Sequence, residues 1–264
     1  MRFSFNQLQQ FLESQNQNFS ELDLDFSQNK LNEDGLIELS GILSNQNDLN
    51  TLILNLDWNL IGIKGAQILG SKLADSKSIK YLTLKLCGNN LFVQGISDLG
   101  IQLSRLHNLK NLNIFLGQNN IKSQGIIDFS TSLANCRNLE TLVLLLSGNN
   151  IGEQGALVLG SNISKFINLR ALGLYLYSCN IGGNGAFLMC KNISKNKCIT
   201  NLTLDIKKKL VSRIFKMLSK DNPVNKIDFE TFFKKMQQQN PFTEIQDYFN
   251  YQIQLLVLKS FKEN

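Results

Sequence analysis

The chain repeats itself with a period of 30 residues, and this regularity restricts the possible folds more than any other feature of the sequence. Seven triplets of large apolar residues keep one register, and the first triplet is Leu22, Leu24 and Phe26. One glycine recurs in the same register at Gly35, Gly65, Gly95, Gly125, Gly155 and Gly185. A period of this length is typical of solenoids, in which neighbouring units stack and share a core.

Each unit has the pattern of a strand, a turn and a helix. Apolar residues at every second position, as in Leu142, Leu144 and Leu146, predict a short strand with one buried face. After each glycine the apolar residues are spaced by three and then four, as in Ala156, Leu159 and Ile163, which predicts one helix face. Seven parallel strands in one sheet are therefore expected.

An asparagine follows each of the first five triplets by three residues. These residues are Asn29, Asn59, Asn89, Asn119 and Asn149, and Cys179 takes the sixth place. An amide both donates and accepts, so stacked copies can satisfy backbone groups where the chain leaves each strand. The spacing predicts a ladder of asparagines along one edge of the sheet.

From about Phe19 to Ile206 this pattern resembles the leucine-rich repeats, specifically the ribonuclease-inhibitor-like subtype with a glycine at the helix start. The resemblance implies an α/β solenoid over residues 19–206, with a curved parallel sheet on the concave side and helices on the convex side. The 30-residue unit and the Asn/Gln/Lys-rich turns are also similar to repeat proteins abundant in ciliate protists.

The two ends lie outside this register. Residues 1–18 contain Phe5, Leu8, Phe11 and Leu12, which predict a helical cap over the first repeat. Residues 207–264 show helical spacing, and they contain 11 Lys/Arg against 6 Asp/Glu, so a basic helical extension is expected there. Its densest basic cluster can contact an acidic protein surface, anionic lipid or, as a less favoured partner, nucleic acid, or it can simply be solvated. That cluster is Lys207, Lys208 and Lys209.

The stretch Leu142 to Leu146 is apolar at every position, although a strand buried on one face should alternate. The intervening positions would point to the concave face, next to their counterparts in adjacent repeats. We expect an exposed apolar patch of Phe115, Val143, Leu145, Tyr175 and Tyr177. Such a patch indicates a protein-binding site. The alternatives are that the C-terminal helices cover it or that it has no role.

Signs of catalysis are weak. His107 is the single histidine and lacks a positioned nucleophile, and the glycine-rich stretch Gly182 to Gly185 lacks the lysine of a phosphate-binding loop. No enzyme activity, cofactor, metal or small-molecule substrate is expected.

The five cysteines show no metal spacing and indicate reduced thiols in an intracellular protein. No apolar run reaches the length of a membrane span, so none is expected. The expected location is the cytoplasm, and a ciliary, cytoskeletal or organellar assembly is the alternative.

These features favour a non-catalytic scaffold for protein–protein interaction, as a structural or accessory subunit of a larger complex. The alternative is a regulator of a small GTPase, since GTPase-activating proteins of the nuclear-transport GTPase share this repeat subtype. That function would require an acidic contact rim, but Asp23, Asp25, Asp57 and Asp205 are scattered. Inhibition of a secreted nuclease would require an acidic chain, and the net charge here is +6.

Overall fold

Strands and helices alternate along the chain in the computed structural model, which describes residues 2–14 and 17–206. The strands are β1 (Arg2–Phe5), β2 (Glu21–Asp25), β3 (Thr51–Asn55), β4 (Tyr81–Lys85), β5 (Asn111–Phe115), β6 (Thr141–Leu145), β7 (Ala171–Tyr175) and β8 (Asn201–Asp205). The helices are α1 (Leu8–Glu13), α2 (Glu33–Ser44), α3 (Gly62–Ala74), α4 (Phe92–Leu103), α5 (Lys122–Leu133), α6 (Gly152–Ile163) and α7 (Gly182–Ile193). Within this part of the chain the α/β alternation of the sequence pattern is confirmed.

The strands form one parallel sheet in chain order, and each strand pairs with the next. From β2 onward the register advances by one repeat at every step. Leu142, for example, pairs with Leu112 on one side and with Leu172 on the other. This unbroken register confirms the parallel sheet that the triplets predict.

The core lies between the sheet and the helices. Leu144 on β6 and Leu159 on α6 are each 1% exposed, and the equivalent positions of the other repeats are also buried. Neighbouring helices pack against one another from α1 to α7. Strands are about 4.8 Å apart and packed helices about 8–10 Å apart, so the stack bends with the sheet on its concave side. The arrangement is consistent with a leucine-rich-repeat-like solenoid.

The asparagine ladder holds the turns together. Asn119 donates from its side-chain amide to the carbonyls of Leu86 and Leu116 at 2.8 and 3.0 Å. Its Oδ1 accepts the backbone N–H groups of Asn89 and Leu91 at 3.0 and 3.3 Å. Comparable bonds are made by Asn59, Asn89 and Asn149.

The prediction that Asn29 belongs to this ladder is wrong. Asn29 is exposed, and its amide donates to the carbonyl of Ser27 at 3.2 Å. The physical reason is its position at the start of the solenoid, because the segment before it has no equivalent turn whose carbonyl the amide could reach.

Cys179 replaces asparagine in the sixth place of the ladder. Its thiol donates to the carbonyl of Leu146 at 3.1 Å, the bond that an asparagine amide makes in earlier repeats. Burial raises the pKa of the Cys179 thiol to about 11, although the N–H groups of Asn149 and Gly148 oppose this shift. The thiol therefore stays protonated and acts as a weak donor.

The N-terminal segment differs from the single helical pattern expected there. Residues Arg2–Phe5 form β1 and pair in parallel with β2, so the described part of the sheet has eight strands and not seven. Only Leu8–Glu13 is helical. The reason is aromatic packing: the ring of Phe3 lies 5.1 Å from that of Phe19, and the ring of Phe5 lies 5.4 Å from that of Phe11. An extended chain brings both rings to the same face.

Candidate protein-interaction surface

The concave face of the sheet carries the apolar residues singled out in the sequence. Phe115, Leu145 and Tyr175 occupy the same register position on β5, β6 and β7. Each is half-buried, whereas Leu142 and Leu144 on the opposite face of β6 are buried. Adjacent strands lie about 4.8 Å apart, so the three side chains stand next to one another in one row.

Two further residues extend this row. Val143 is half-buried on the same face of β6, one register position earlier, and it pairs with Gly173 on β7. A Cβ at Gly173 would lie 3.3 Å from Val143 and 3.6 Å from the ring of Tyr175, so both side chains lie beside the glycine. Tyr177 follows β7 and is 58% exposed. We call the five residues Phe115, Val143, Leu145, Tyr175 and Tyr177 the concave patch. That they bind a partner stays a prediction.

Charged residues border the concave patch at both ends of its central row. Lys85 on β4 pairs with Phe115, and Asp205 on β8 pairs with Tyr175. Beyond Lys85 the same row continues with Asn55 and Asp25. Along this one row, the concave face is therefore polar on β2 to β4 and apolar on β5 to β7.

Two aspartates in the first two repeats have shifted pKa values. Partial burial works to raise the pKa of Asp25, but hydrogen bonds from the hydroxyl and N–H of Ser27 outweigh it and lower the pKa. Burial raises the pKa of Asp57, which a bond from the N–H of Cys87 at 2.6 Å only partly offsets. Asp23, Asp25 and Asp57 belong to the first two repeats, whereas Asp205 lies on β8 at the other end of the sheet.

The residues that the sequence analysis judged unsuited to catalysis lie in an exposed loop and at the start of a helix. His107 is exposed in the loop before β5. Gly182 opens α7 with a φ of +61°, and the carboxylate of Glu153 lies where a side chain at Gly182 would be. A negative side chain at a helix N-terminus is favourable.

Lys207, Lys208 and Lys209 lie outside the described residues.

Three exposed apolar residues on the turns that lead into α3 and α4 were missed in the sequence. Trp58, Leu60 and Phe92 are 49%, 73% and 43% exposed, and all three have a positive φ. Equivalent turns carry residues such as Gln118, Asn120 and Gly152 at these positions. The signal that could have revealed these three residues is their departure from the polar and glycine residues of the other repeats.

Among residues 2–14 and 17–206, no group of His, Cys, Asp and Glu could hold a metal ion. Within the same ranges no helix is long and apolar enough to cross a membrane.

No family model matches the chain, and no curated protein matches it. Among the solved structures that match is one described as Leiomodin-1 Actin-Binding Site 2 (ABS2), at 14% identity and a TM-score of 0.35. The match covers 55% of this chain and 80% of the other. A similarity at this level carries no argument about function.

Proposed function

We propose that the protein is a leucine-rich-repeat protein of the ribonuclease-inhibitor-like subtype. In this proposal it acts as a non-catalytic scaffold, a structural or accessory subunit of a larger complex, and holds a protein partner on the concave patch. The observation that carries the proposal is the unbroken row of Phe115, Leu145 and Tyr175 on adjacent strands. Solvated sheet faces normally carry polar residues, so an apolar row on the open face indicates a contact surface.

The composition of the row fits a protein partner. Aromatic residues are enriched at the centres of protein interfaces, where they supply large contact area, and charged residues are typical of the rim. Here Phe115 and Tyr175 flank Leu145, and Lys85 and Asp205 stand at the two ends. The opposite signs of those end charges would orient a partner along the row.

The C-terminal segment belongs to the same proposal. Ile206 directly follows β8, which is the edge strand of the described sheet nearer the concave patch. Lys207, Lys208 and Lys209 come next in the sequence. We infer that these cations add electrostatic attraction for an acidic part of the same protein partner.

The experiment is to replace the central row in the full chain with Phe115→Ser, Leu145→Ser and Tyr175→Ser. Aromatic anchors near an interface centre commonly cost about 2 kcal/mol or more when truncated, which is roughly thirtyfold in affinity. Partner recovery by affinity purification from the native source should therefore fall strongly. The matched control is Ile53→Ser, which lies half-buried on the same face of β3 but away from the row. It should leave recovery unchanged.

The melting temperatures of these variants decide between the interpretations. An unchanged melting temperature with lost recovery supports the proposal. A large drop in the triple variant would show that the row is covered by the chain itself. Unchanged melting with unchanged recovery would contradict the proposal and move the binding site elsewhere on the chain.

A further inference from the structure

The loops that precede the strands carry a strong excess of positive charge. Residues 45–50, 75–80, 105–110, 135–140, 165–170 and 195–200 together hold nine Lys/Arg and three Asp/Glu, net +6. The rest of residues 1–206 holds seven Lys/Arg and twelve Asp/Glu, net −5. One edge of the solenoid is therefore basic while the remainder is acidic. We call these six loops the basic edge.

Helix ends account for only part of this excess. Arg105, Lys165 and Lys195 each come two residues after the end of their helices, where positive charge complements the helix dipole. Each also donates to a side-chain amide of its own helix at 2.7–2.9 Å. The remaining cations lie farther along the loops, where the dipole no longer explains them. These are Lys77, Lys80, Lys110, Arg137, Arg170 and Lys197.

Three of these cations stand in a row that the backbone holds in place. The N–H of Lys110 donates to the carbonyl of Lys80 at 2.8 Å, and the N–H of Glu140 donates to that of Lys110 at 2.7 Å. The N–H of Arg170 then donates to the carbonyl of Glu140 at 2.8 Å. Lys80 and Arg170 are exposed, and Lys110 is half-buried. The row runs across four consecutive repeats with fixed spacing.

A groove of about 380 Å³ runs along this row, lined by the four charged residues and by Asn108, Asn138 and Asn168. Each asparagine amide donates to a carbonyl of the preceding loop, at 2.7, 2.8 and 2.8 Å respectively. The asparagines are thus held by the loops, and this part of the groove lining is preorganised. Three cations and one anion line it, so it is positive overall.

We propose that this groove binds an extended acidic segment of a protein, on a surface separate from the concave patch. Exposed lysine and arginine side chains attract carboxylates, and a preorganised groove reduces the cost of ordering a bound peptide. Glu140 forms an ion pair with Lys110 at 2.9 Å, which also raises the pKa of Lys110. An acidic segment competes with Glu140 for this cation.

Other occupants fit the groove less well. The C-terminal segment from Lys207 onward has a net charge of +5, so the basic edge repels it overall. Binding of single-stranded nucleic acid relies on aromatic rings that stack with bases. The six loops contain two aromatic rings: Phe166 is 4% exposed, and His107 is exposed but is not among the residues that line the groove. A carboxylate in the middle of the row, Glu140, would also repel a phosphate backbone.

The test uses the full chain and a fluorescein-labelled decaglutamate peptide, with binding followed by fluorescence anisotropy. The groove variant carries Lys80→Gln, Lys110→Gln and Arg170→Gln. Its matched control removes three exposed cations on the opposite edge of the sheet, with Lys30→Gln, Lys64→Gln and Lys122→Gln. A third variant carries Lys207→Gln, Lys208→Gln and Lys209→Gln. Circular dichroism establishes that each variant is folded.

Loss of three exposed charge pairs should weaken decaglutamate binding by the groove variant about tenfold, and the control variant should change it by less than about twofold. Glu140→Gln removes a repulsive charge and releases Lys110, so it should strengthen binding severalfold. Binding of the wild-type chain should weaken as salt rises from about 50 to about 300 mM.

Three results would overturn the proposal. Equal weakening in the groove and control variants would mean that only net charge matters. A loss confined to the Lys207–Lys209 variant would place the acidic partner on the C-terminal segment. The third result is that a thymidine decanucleotide binds more tightly than decaglutamate and loses affinity in the groove variant. That result would assign the groove to nucleic acid.

Discussion

The Asn119 Oδ1 accepts the backbone N–H of Asn89 at 3.0 Å, one full repeat earlier in the chain. The same side chain donates to the carbonyls of Leu86 and Leu116, so one asparagine joins two turns. All of these groups are buried, and none can exchange its partner for water. The ladder therefore couples each repeat to the one before it.

Asn119→Ala should lower the free energy of unfolding by about 3 kcal/mol or more, because several buried backbone groups lose their partner together. The matched control is Asn29→Ala, since Asn29 is exposed and bonds only within its own turn. That substitution should change stability by less than about 0.5 kcal/mol. Urea denaturation of both variants measures the difference, and similar losses in the two would contradict the ladder's role.

Cys179→Asn should stabilise the protein. The thiol of Cys179 already bonds to the carbonyl of Leu146 at 3.1 Å, so an amide there can make the same bond with a stronger donor. Its oxygen would also accept the N–H of Asn149 better than sulfur does. We expect a gain of about 1 kcal/mol in the free energy of unfolding, measured in urea. A loss of stability would show that the sixth repeat has shifted to accommodate sulfur.

Leu60→Asn should also stabilise the solenoid, for a conformational reason. Leu60 has a φ of +58° and is 73% exposed, so its side chain gains little from burial. Asparagine tolerates this backbone region better than leucine, and Asn90, Asn120 and Asn150 occupy the equivalent position with φ of 51–55°. The melting temperature should rise by an amount equivalent to roughly 1 kcal/mol in the free energy of unfolding. No rise would mean that Leu60 makes a compensating contact.

Alkaline pH should destabilise the protein through its buried thiols. Burial raises the pKa of Cys136 from 9.0 to about 11, so the folded state keeps a proton that the unfolded state loses between these values. The free energy of unfolding therefore falls as pH rises from about 9 to about 11, by up to roughly 2 kcal/mol for this residue. In Cys136→Ala that part of the pH dependence should disappear. An identical pH dependence in the variant would contradict the assignment.

The sequence predicted the parts of the fold that recur. Leu142 and Leu144 keep the same spacing in every repeat, so their strand, burial and register followed from periodicity alone. The row of Phe115, Leu145 and Tyr175 followed from the same register, because side chains alternate across a strand.

Features without a repeated copy were not predicted. β1 has only four residues, and its Phe5 also fits a helical pattern with Leu8 and Phe11. The packing of the Phe5 ring against Phe11 and of the Phe3 ring against Phe19 distinguishes the strand from a helix. The groove on the basic edge was missed for another reason. Lys80, Lys110 and Arg170 are 30 or more residues apart in the sequence, and Glu140 interrupts them, so no charged run marks the site.

The most direct measurement for the proposed function is photo-crosslinking from the centre of the concave patch. A photoreactive amino acid in place of Tyr175, expressed in the native source, should crosslink the chain to one protein partner. The same amino acid in place of Ile101, which is 51% exposed on α4, is the control on the helical side and should not capture that protein. Binding at the concave face would be contradicted if the partner were captured from position 101 but not from position 175. It would also be contradicted if crosslinks from position 175 formed only within the chain itself.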